Sequence, residues 1–290
     1  MGGGVPIGRW SHWYGNFGSG KTLTSLKVIK NAQDMGMICA LYNVEKRFNK
    51  EWAELMGINI DKLILVEGTE IETVGAKMEG LLSVAHLHVV DSIASAVSID
   101  ELTSDVEDWH RGLSARAWGK VIRRINNHFD EKENCIILIN QVRSNMNYGG
   151  GEEPPSGKAI GFASSSSLSF RKSSWLYLDE NGNLSPDSPN KQTVTGDTEP
   201  HGMEFQVRVD KNTVSTPHRT ARMRLDFSTG DFDKMWDYTR LGIYFGVFER
   251  SGSWYSRNGH KWQGETNLKE AIRQSEELQK VIAETVLEKA

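Results

Sequence analysis

The sequence predicts an α/β fold: a mostly parallel central sheet flanked by helices, followed by a small α/β C-terminal domain. Three observations predict it. Short apolar runs alternate with helical segments through the first half of the chain. A glycine-rich stretch, GNFGSGKT, opens the first of those helices. Beyond Asn140 the alternation stops and strand-like runs follow one another directly. Runs buried on both faces and separated by helices imply a parallel sheet, because only crossover connections bring successive strands round in one direction.

The elements follow in order. His12-Trp13-Tyr14 ends a strand, and Leu23 to Met35 has the spacing of an amphipathic helix. Met37 to Asn43, Lys62 to Glu67, His86 to Asp91 and Cys135 to Asn140 read as buried strands. Asn49 to Met56, Ile71 to Ser83 and Leu113 to Phe129 read as the helices between them. Leu168 to Leu178, Met203 to Asp210 and Ala221 to Phe227 read as successive strands. The Asn-, Asp-, Pro- and Gly-rich stretch from Asp179 to Gly202 reads as an exposed excursion. Past Gly230 come a helix, a short hairpin (SWYSRNGHKW) and two C-terminal helices. The expected division is therefore a core over 1–230 and a small domain over 231–290.

Composition narrows the function classes. The chain has 290 residues, 38% of them hydrophobic and 25% charged, as in ordinary globular protein. No apolar run reaches the roughly 18 residues a membrane span needs, and MGGGVPIGRW lacks the apolar core of a secretory leader. A cytoplasmic protein with no membrane contact is expected. The two cysteines, Cys39 and Cys135, each lie in an apolar run and read as buried free thiols. A formal net charge of −4 argues against coating nucleic acid by bulk charge, so any such contact needs local cations.

The chemistry begins at Gly15 to Thr22. Gly15, Gly18 and Gly20 allow a loop whose N–H groups turn inward, and such a loop at a helix N-terminus holds phosphate oxygens. Asn16, Phe17, Ser19 and Leu23 belong to the same cradle. Lys21 supplies a point charge to the β- and γ-phosphates, and Thr22 offers a hydroxyl to Mg²⁺. The apolar strand HVVD ends in Asp91, in the form of an acid that holds Mg²⁺ directly or through water. Glu45 ends the strand after the first helix and is a candidate to orient water at the γ-phosphate. Gln141 ends the fourth strand and is followed by a long glycine- and proline-rich loop with no periodicity.

Taken in order, GNFGSGKT, NVEKR, VVDSIASAV, GLSARAW, INQVR and SGSWYSRNG resemble the bacterial and phage RecA family over nearly the whole chain. The resemblance implies a RecA-like P-loop ATPase core. It also implies a DNA-dependent ATPase using ATP and Mg²⁺, with Lys21, Glu45 and Gln141 catalytic and Thr22 and Asp91 holding the metal. Trp52 and Asn49 match positions that contact adenine. Lys211 matches a lysine that reaches a neighbouring subunit's ATP, although Thr213 and Gly161 stand where further lysines are usual. Residues 105–112 and 144–157 match two DNA-binding loops, with Arg111, Arg116, Arg123, Arg143, Met146 and Gly157 near the strand. The implied function is an ATP-dependent recombinase in DNA repair and the SOS response. It would form a helical filament on single-stranded DNA and pair that strand with homologous double-stranded DNA. Relative to the family pattern, the N-terminal polymerisation arm is missing. A RecA-like accessory protein with little turnover and a RecA-fold ring helicase are the alternatives.

Overall fold

A computed structural model describes residues 4–104, 112–129, 133–142, 158–179, 182–186 and 199–289. The chain begins with β1 (Trp10–Gly15), α1 (Lys21–Asp34), β2 (Cys39–Asn43), α2 (Lys50–Leu55), β3 (Leu63–Glu67) and α3 (Ile71–Leu81). It continues with β4 (Leu87–Asp91), α4 (Ile99–Thr103), α5 (Leu113–Asn126), β5 (Cys135–Gln141) and α6 (Lys158–Ala163). Then come β6 (Ser166–Leu178), β7 (Leu184–Ser185), β8 (Gly202–Asn212), β9 (Thr220–Asp226) and β10 (Asp231–Phe232). The last segment holds α7 (Lys234–Tyr244), β11 (Glu249–Ser251), β12 (Trp254–Arg257), β13 (His260–Gln263), α8 (Gly264–Gln274) and α9 (Glu276–Lys289).

The main sheet has the order β10-β9-β8-β6-β1-β5-β4-β2-β3. Pairing is parallel from β6 through β3 and antiparallel among β6, β8, β9 and β10. Alternate residues of the central strands feed two cores, as the twofold period of a strand demands. In β5, Ile137 and Ile139 face a cluster that includes Leu26, Ile29 and Phe205, while Ile136 and Leu138 face one that includes Val74, Met78 and Trp118. In α5, Ala117, Trp118, Val121, Ile122 and Ile125 are buried at helical spacing. That face packs on α3, where Gly75 lets the helices meet: a Cβ there would lie 2.6 Å from a Val121 methyl. Residues 234–289 carry a third cluster around Phe248, Leu268, Ile272 and Ile282.

The expected strands and major helices are all present, with ends that differ: β2, β3 and β4 are shorter than expected, and β5, β6 and β8 are longer. α5 stops at Asn126 instead of Phe129, because Asn127 and His128 close it with tighter i−3 bonds and Asn126 Oδ1 accepts from the Trp10 indole at 2.9 Å. Of the stretch expected as an exposed excursion, 182–186 and 199–202 are described and include the two-residue strand β7, which pairs with β6; 180–181 and 187–198 lie outside the described residues. The C-terminal hairpin has a third strand, β11, whose run is too short and too exposed to show a pattern in sequence. Cys39 and Cys135 are free and buried, and burial pushes their thiols up to about 11 and about 12. Among the described residues no helix is long and apolar enough to cross a membrane.

Candidate functional site: a phosphate loop at the edge of the parallel strands

The loop after β1 needs glycine for steric reasons. A Cβ on Gly15 would sit 2.2 Å from the Phe170 carbonyl oxygen of the neighbouring β6. Gly20, left-handed at φ 93°, caps α1 with its Cα side against the Phe205 ring, whose atoms would lie 3.1 Å from a Cβ. The phosphate cradle is thus pressed onto the aromatic core beneath it.

Lys21 is buried, and its ammonium donates to the Gly15 and Asn16 carbonyls at 2.8 Å each and to Ser19 Oγ at 3.2 Å. Burial lowers it to about 8, against the opposing pull of the Asp91 and Glu45 carboxylates. Thr22 Oγ1 donates to Asp91 Oδ2 at 2.7 Å, which joins the start of α1 to the end of β4. Burial raises the Asp91 carboxyl to about 6, and the Thr22 bond moderates that rise. A hydroxyl beside a carboxylate is a hard, oxygen-only donor pair. It suits Mg²⁺, which takes few protein ligands and fills its shell with water and phosphate oxygens. Among the described residues no group of three or more His, Cys, Asp or Glu is placed to hold a metal on its own.

Strand register brings in the other polar groups. Asn43 lies opposite Asp91 across the β2–β4 pair, and the Val44 and Glu45 amides donate to the Asp91 carbonyl at 2.9 and 3.2 Å. Gly15 lies opposite Gln141 across β1 and β5. Glu45 Oε1 then accepts from Gln141 Nε2 at 2.5 Å, Ser92 Oγ at 2.5 Å and Ser95 Oγ at 3.2 Å. The two serines were not singled out from the sequence. Their signal was available in VVDSIAS, where hydroxyls at the first and fourth positions after the acid fall on one side of a tight turn. A cavity of about 300 Å³ lies between the loop and Glu45, Asp91 and Gln141, with Trp175, Met203 and Phe227 as its apolar wall.

The remaining expected site residues fall in different places. Leu23 and Phe17 line the cavity. Asn49 and Trp52 do not: Asn49 Oδ1 caps α2 by accepting from Trp52 N at 2.7 Å, and the Trp52 ring meets Phe227 edge-on at 6.2 Å. Trp175 and Phe227 are the aromatic residues outside the loop that line this cavity among the described residues, and sequence reading missed both. Lys211, on β8, lies outside the cavity lining, with its ammonium donating to the Gly161 carbonyl at 2.8 Å. Arg116 and Arg123 are exposed on α5, which starts at the end of the 105–112 segment. Arg111, Arg143, Met146 and Gly157 lie outside the described residues, as do 105–111 and 144–157.

A glycine-rich loop leaving the first strand of a parallel sheet, with its threonine bonded to an acid on a neighbouring strand, defines the class of P-loop nucleotide-binding proteins. The RecA N-terminal domain family matches residues 1–231 and the RecA C-terminal domain family matches residues 239–290. The chain therefore belongs to the RecA family. It is 30% identical to Protein RecA of Thermus aquaticus, over 99% of this chain and 81% of that protein. It is also 30% identical to Protein RecA of Streptococcus mutans, over 95% of this chain and 70% of that one. The same identity holds for Protein RecA of Heliobacterium modesticaldum, over 93% and 74%.

Proposed function

We propose that this protein is an ATP-dependent DNA recombinase, which binds single-stranded DNA as a filament and promotes pairing and strand exchange with homologous duplex. The observation that carries the reading is the junction of two bonded sets at one sheet edge. Thr22 with Asp91 marks the phosphate and metal end, and Glu45 with Gln141, Ser92 and Ser95 marks the water end.

In this reading Lys21 leaves its three loop oxygens for those of the β- and γ-phosphates. Thr22 and Asp91 hold Mg²⁺, which when bound offsets the phosphate charge. Glu45 orients the attacking water and takes its proton. Gln141 joins the end of β5 to the segment that follows, so a change at Glu45 has a direct route to 144–157. Arg116 and Arg123, with the residues expected at 105–112 and 144–157, supply local cations for DNA phosphates on a chain of net charge −4. The proposed division remains a core over 1–230 and a small domain over 231–290.

ATP hydrolysis measured with and without single-stranded DNA tests the reading. Hydrolysis is expected to rise on adding DNA and to fall by about 10²-fold or more in Lys21→Ala, since the cation acts on charge that develops in the transition state. Tight DNA binding with no turnover in the natural sequence would rule the ATPase out.

A further inference from the structure

The turn after β2 carries a cation that the reading above does not use. Arg47 stands two residues past Glu45, and its guanidinium Nη1 lies 3.5 Å from Glu45 Oε2. The same guanidinium sits 5.7 Å from the centre of the Phe17 ring, in the phosphate loop itself. The base of this side chain is fixed. Asn43 Oδ1 accepts from Arg47 N at 3.0 Å and from Phe48 N at 3.2 Å, and Lys46 takes the left-handed φ of 55° that closes the turn. The tip is not enclosed: the side chain is 66% exposed. It borders a second cavity of about 490 Å³, which also touches Phe17, Glu45, Lys46, Ser95 and Gln141. Phe17, Glu45 and Gln141 line both this cavity and the phosphate-loop cavity, so the two adjoin at the carboxylate.

Among the described residues this guanidinium forms its ion pair with Glu45, and the Asp91 carboxylate also feels its charge. A nucleoside triphosphate on the loop adds a further anionic partner, its terminal phosphoryl group, and a diphosphate does not. We propose that Arg47 is a catalytic residue acting within its own chain, whose guanidinium passes from the Glu45 carboxylate to the terminal phosphoryl oxygens of a bound nucleoside triphosphate. The inference rests on the nucleotide-hydrolysis reading above.

The chemistry gives the transfer a purpose. In the reaction, a water oxygen bonds to the terminal phosphorus and the bond from phosphorus to the bridging oxygen breaks. The electron pair stays with the diphosphate, and the water proton passes to Glu45. One movement takes the guanidinium off the Glu45 carboxylate and sets a planar fork of donors on the phosphoryl oxygens, a geometry suited to arginine. Phe17 keeps the cation at the loop through the face of its ring while it moves.

The test uses the full chain with Mg²⁺. Affinities for ADP and for the non-hydrolysable β,γ-imido analogue of ATP are measured by calorimetry, and hydrolysis by single turnover. In Arg47→Ala and in Arg47→Gln, ADP affinity is expected to stay within about twofold, because the diphosphate does not meet the guanidinium. Affinity for the imido analogue is expected to fall about 5- to 50-fold and the single-turnover rate about 10²-fold or more. Exposure of the side chain makes both variants compatible with folding, and thermal melting confirms it. Unchanged analogue affinity and rate in either folded variant would overturn the proposal, as would equal weakening of both nucleotides. A Lys21→Ala protein that still binds both nucleotides would overturn the phosphate-loop reading itself, a result separate from either of these.

Discussion

The parallel and antiparallel halves of the main sheet handle polar groups in different ways. In the parallel half, β1, β2, β4 and β5 end on one edge, and their last residues or the turns beyond them supply Gly15, Glu45, Asp91 and Gln141. Glu45 bonds to Gln141, Asp91 to Thr22 and the Gly15 carbonyl to Lys21, around a cavity open to a ligand. In the antiparallel half, Arg224 of β9 is consumed by structure. It donates to Glu204 Oε2 at 2.9 Å and to the Leu184 carbonyl at 3.0 Å, and it lies 4.5 Å from the centre of the Trp236 ring. Arg240 lies at the same distance from that ring. A shared edge concentrates chemistry because every strand delivers its end to one place. Alternating directions spread polar groups along the sheet, where they tie it to the next element, here α7.

The contrast can be broken most sharply at Arg224. Its side chain and that of Glu204 are 12% and 10% exposed, so removing one partner leaves a buried charge. Arg224→Met is expected to cost about 3–5 kcal/mol in urea unfolding, while pairing it with Glu204→Met should restore much of the loss. If the double variant is as unstable as the single, the pair is held by its Trp236 contact and not by charge.

A smaller effect separates the halves by pH. His12 and His88, in the parallel half, are buried and pushed down to about 4 from the usual 6.5. His88 meets the Tyr42 hydroxyl and the Ala85 carbonyl, each at 3.0 Å, and His12 meets Asn140 Nδ2 at 3.2 Å. In that window the unfolded chain binds more protons than the folded one. Stability is therefore complete above pH 6.5 and is lost as pH falls toward 4, on the order of 3 kcal/mol per histidine. Asp237, at the start of α7, has the opposite sign: burial raises it to about 6 from 3.8, so its contribution is present below 3.8 and lost as pH rises through 6. Unfolding free energies measured from pH 4 to 7 should show a flatter acid limb in His12→Gln, and a steeper rise with pH in Asp237→Asn because the opposing term is gone. Parallel curves for the natural chain and both variants would contradict these assignments.

The smallest effect concerns Asn49. Loss of the α2 cap in Asn49→Ala should cost about 1 kcal/mol, and Asn49→Asp, which still caps, should cost little. Nucleotide affinity unchanged in both would place Asn49 in the helix and not at the base. A selective loss of affinity in the aspartate variant would return it to the nucleotide.

How far the sequence could be read follows the same division. Gly15 to Thr22 and the strand ending in Asp91 were legible because each is a contiguous motif in which the spacing is the mechanism. Glu45 and Gln141 were legible because both end apolar runs, and parallel strands share an edge. Trp175 and Phe227 were not legible, since each lies in an ordinary antiparallel strand pattern. Nothing local records that β6 and the end of β9 bring them to the phosphate loop. Asn49 and Trp52 are a different case: the resemblance put them at the nucleotide base, while in the structure the asparagine caps α2 and the indole meets Phe227, and the Asn49 variants above decide between the two. Arg47 was hidden in a charged run, EKR, that reads as a solvated turn until the Asn43 side chain is seen to fold it back.

The sequence by itself determined the parallel core, the glycine-rich loop and the acid at the end of β4, because hydrophobic period, glycine placement and motif spacing are local properties of the chain. The tertiary structure alone decided which aromatic rings wall the cavity, which serines hold Glu45 and which arginine stands beside it. Those choices depend on strand order and register, which join residues far apart in the chain through contacts that leave no periodic trace in either partner.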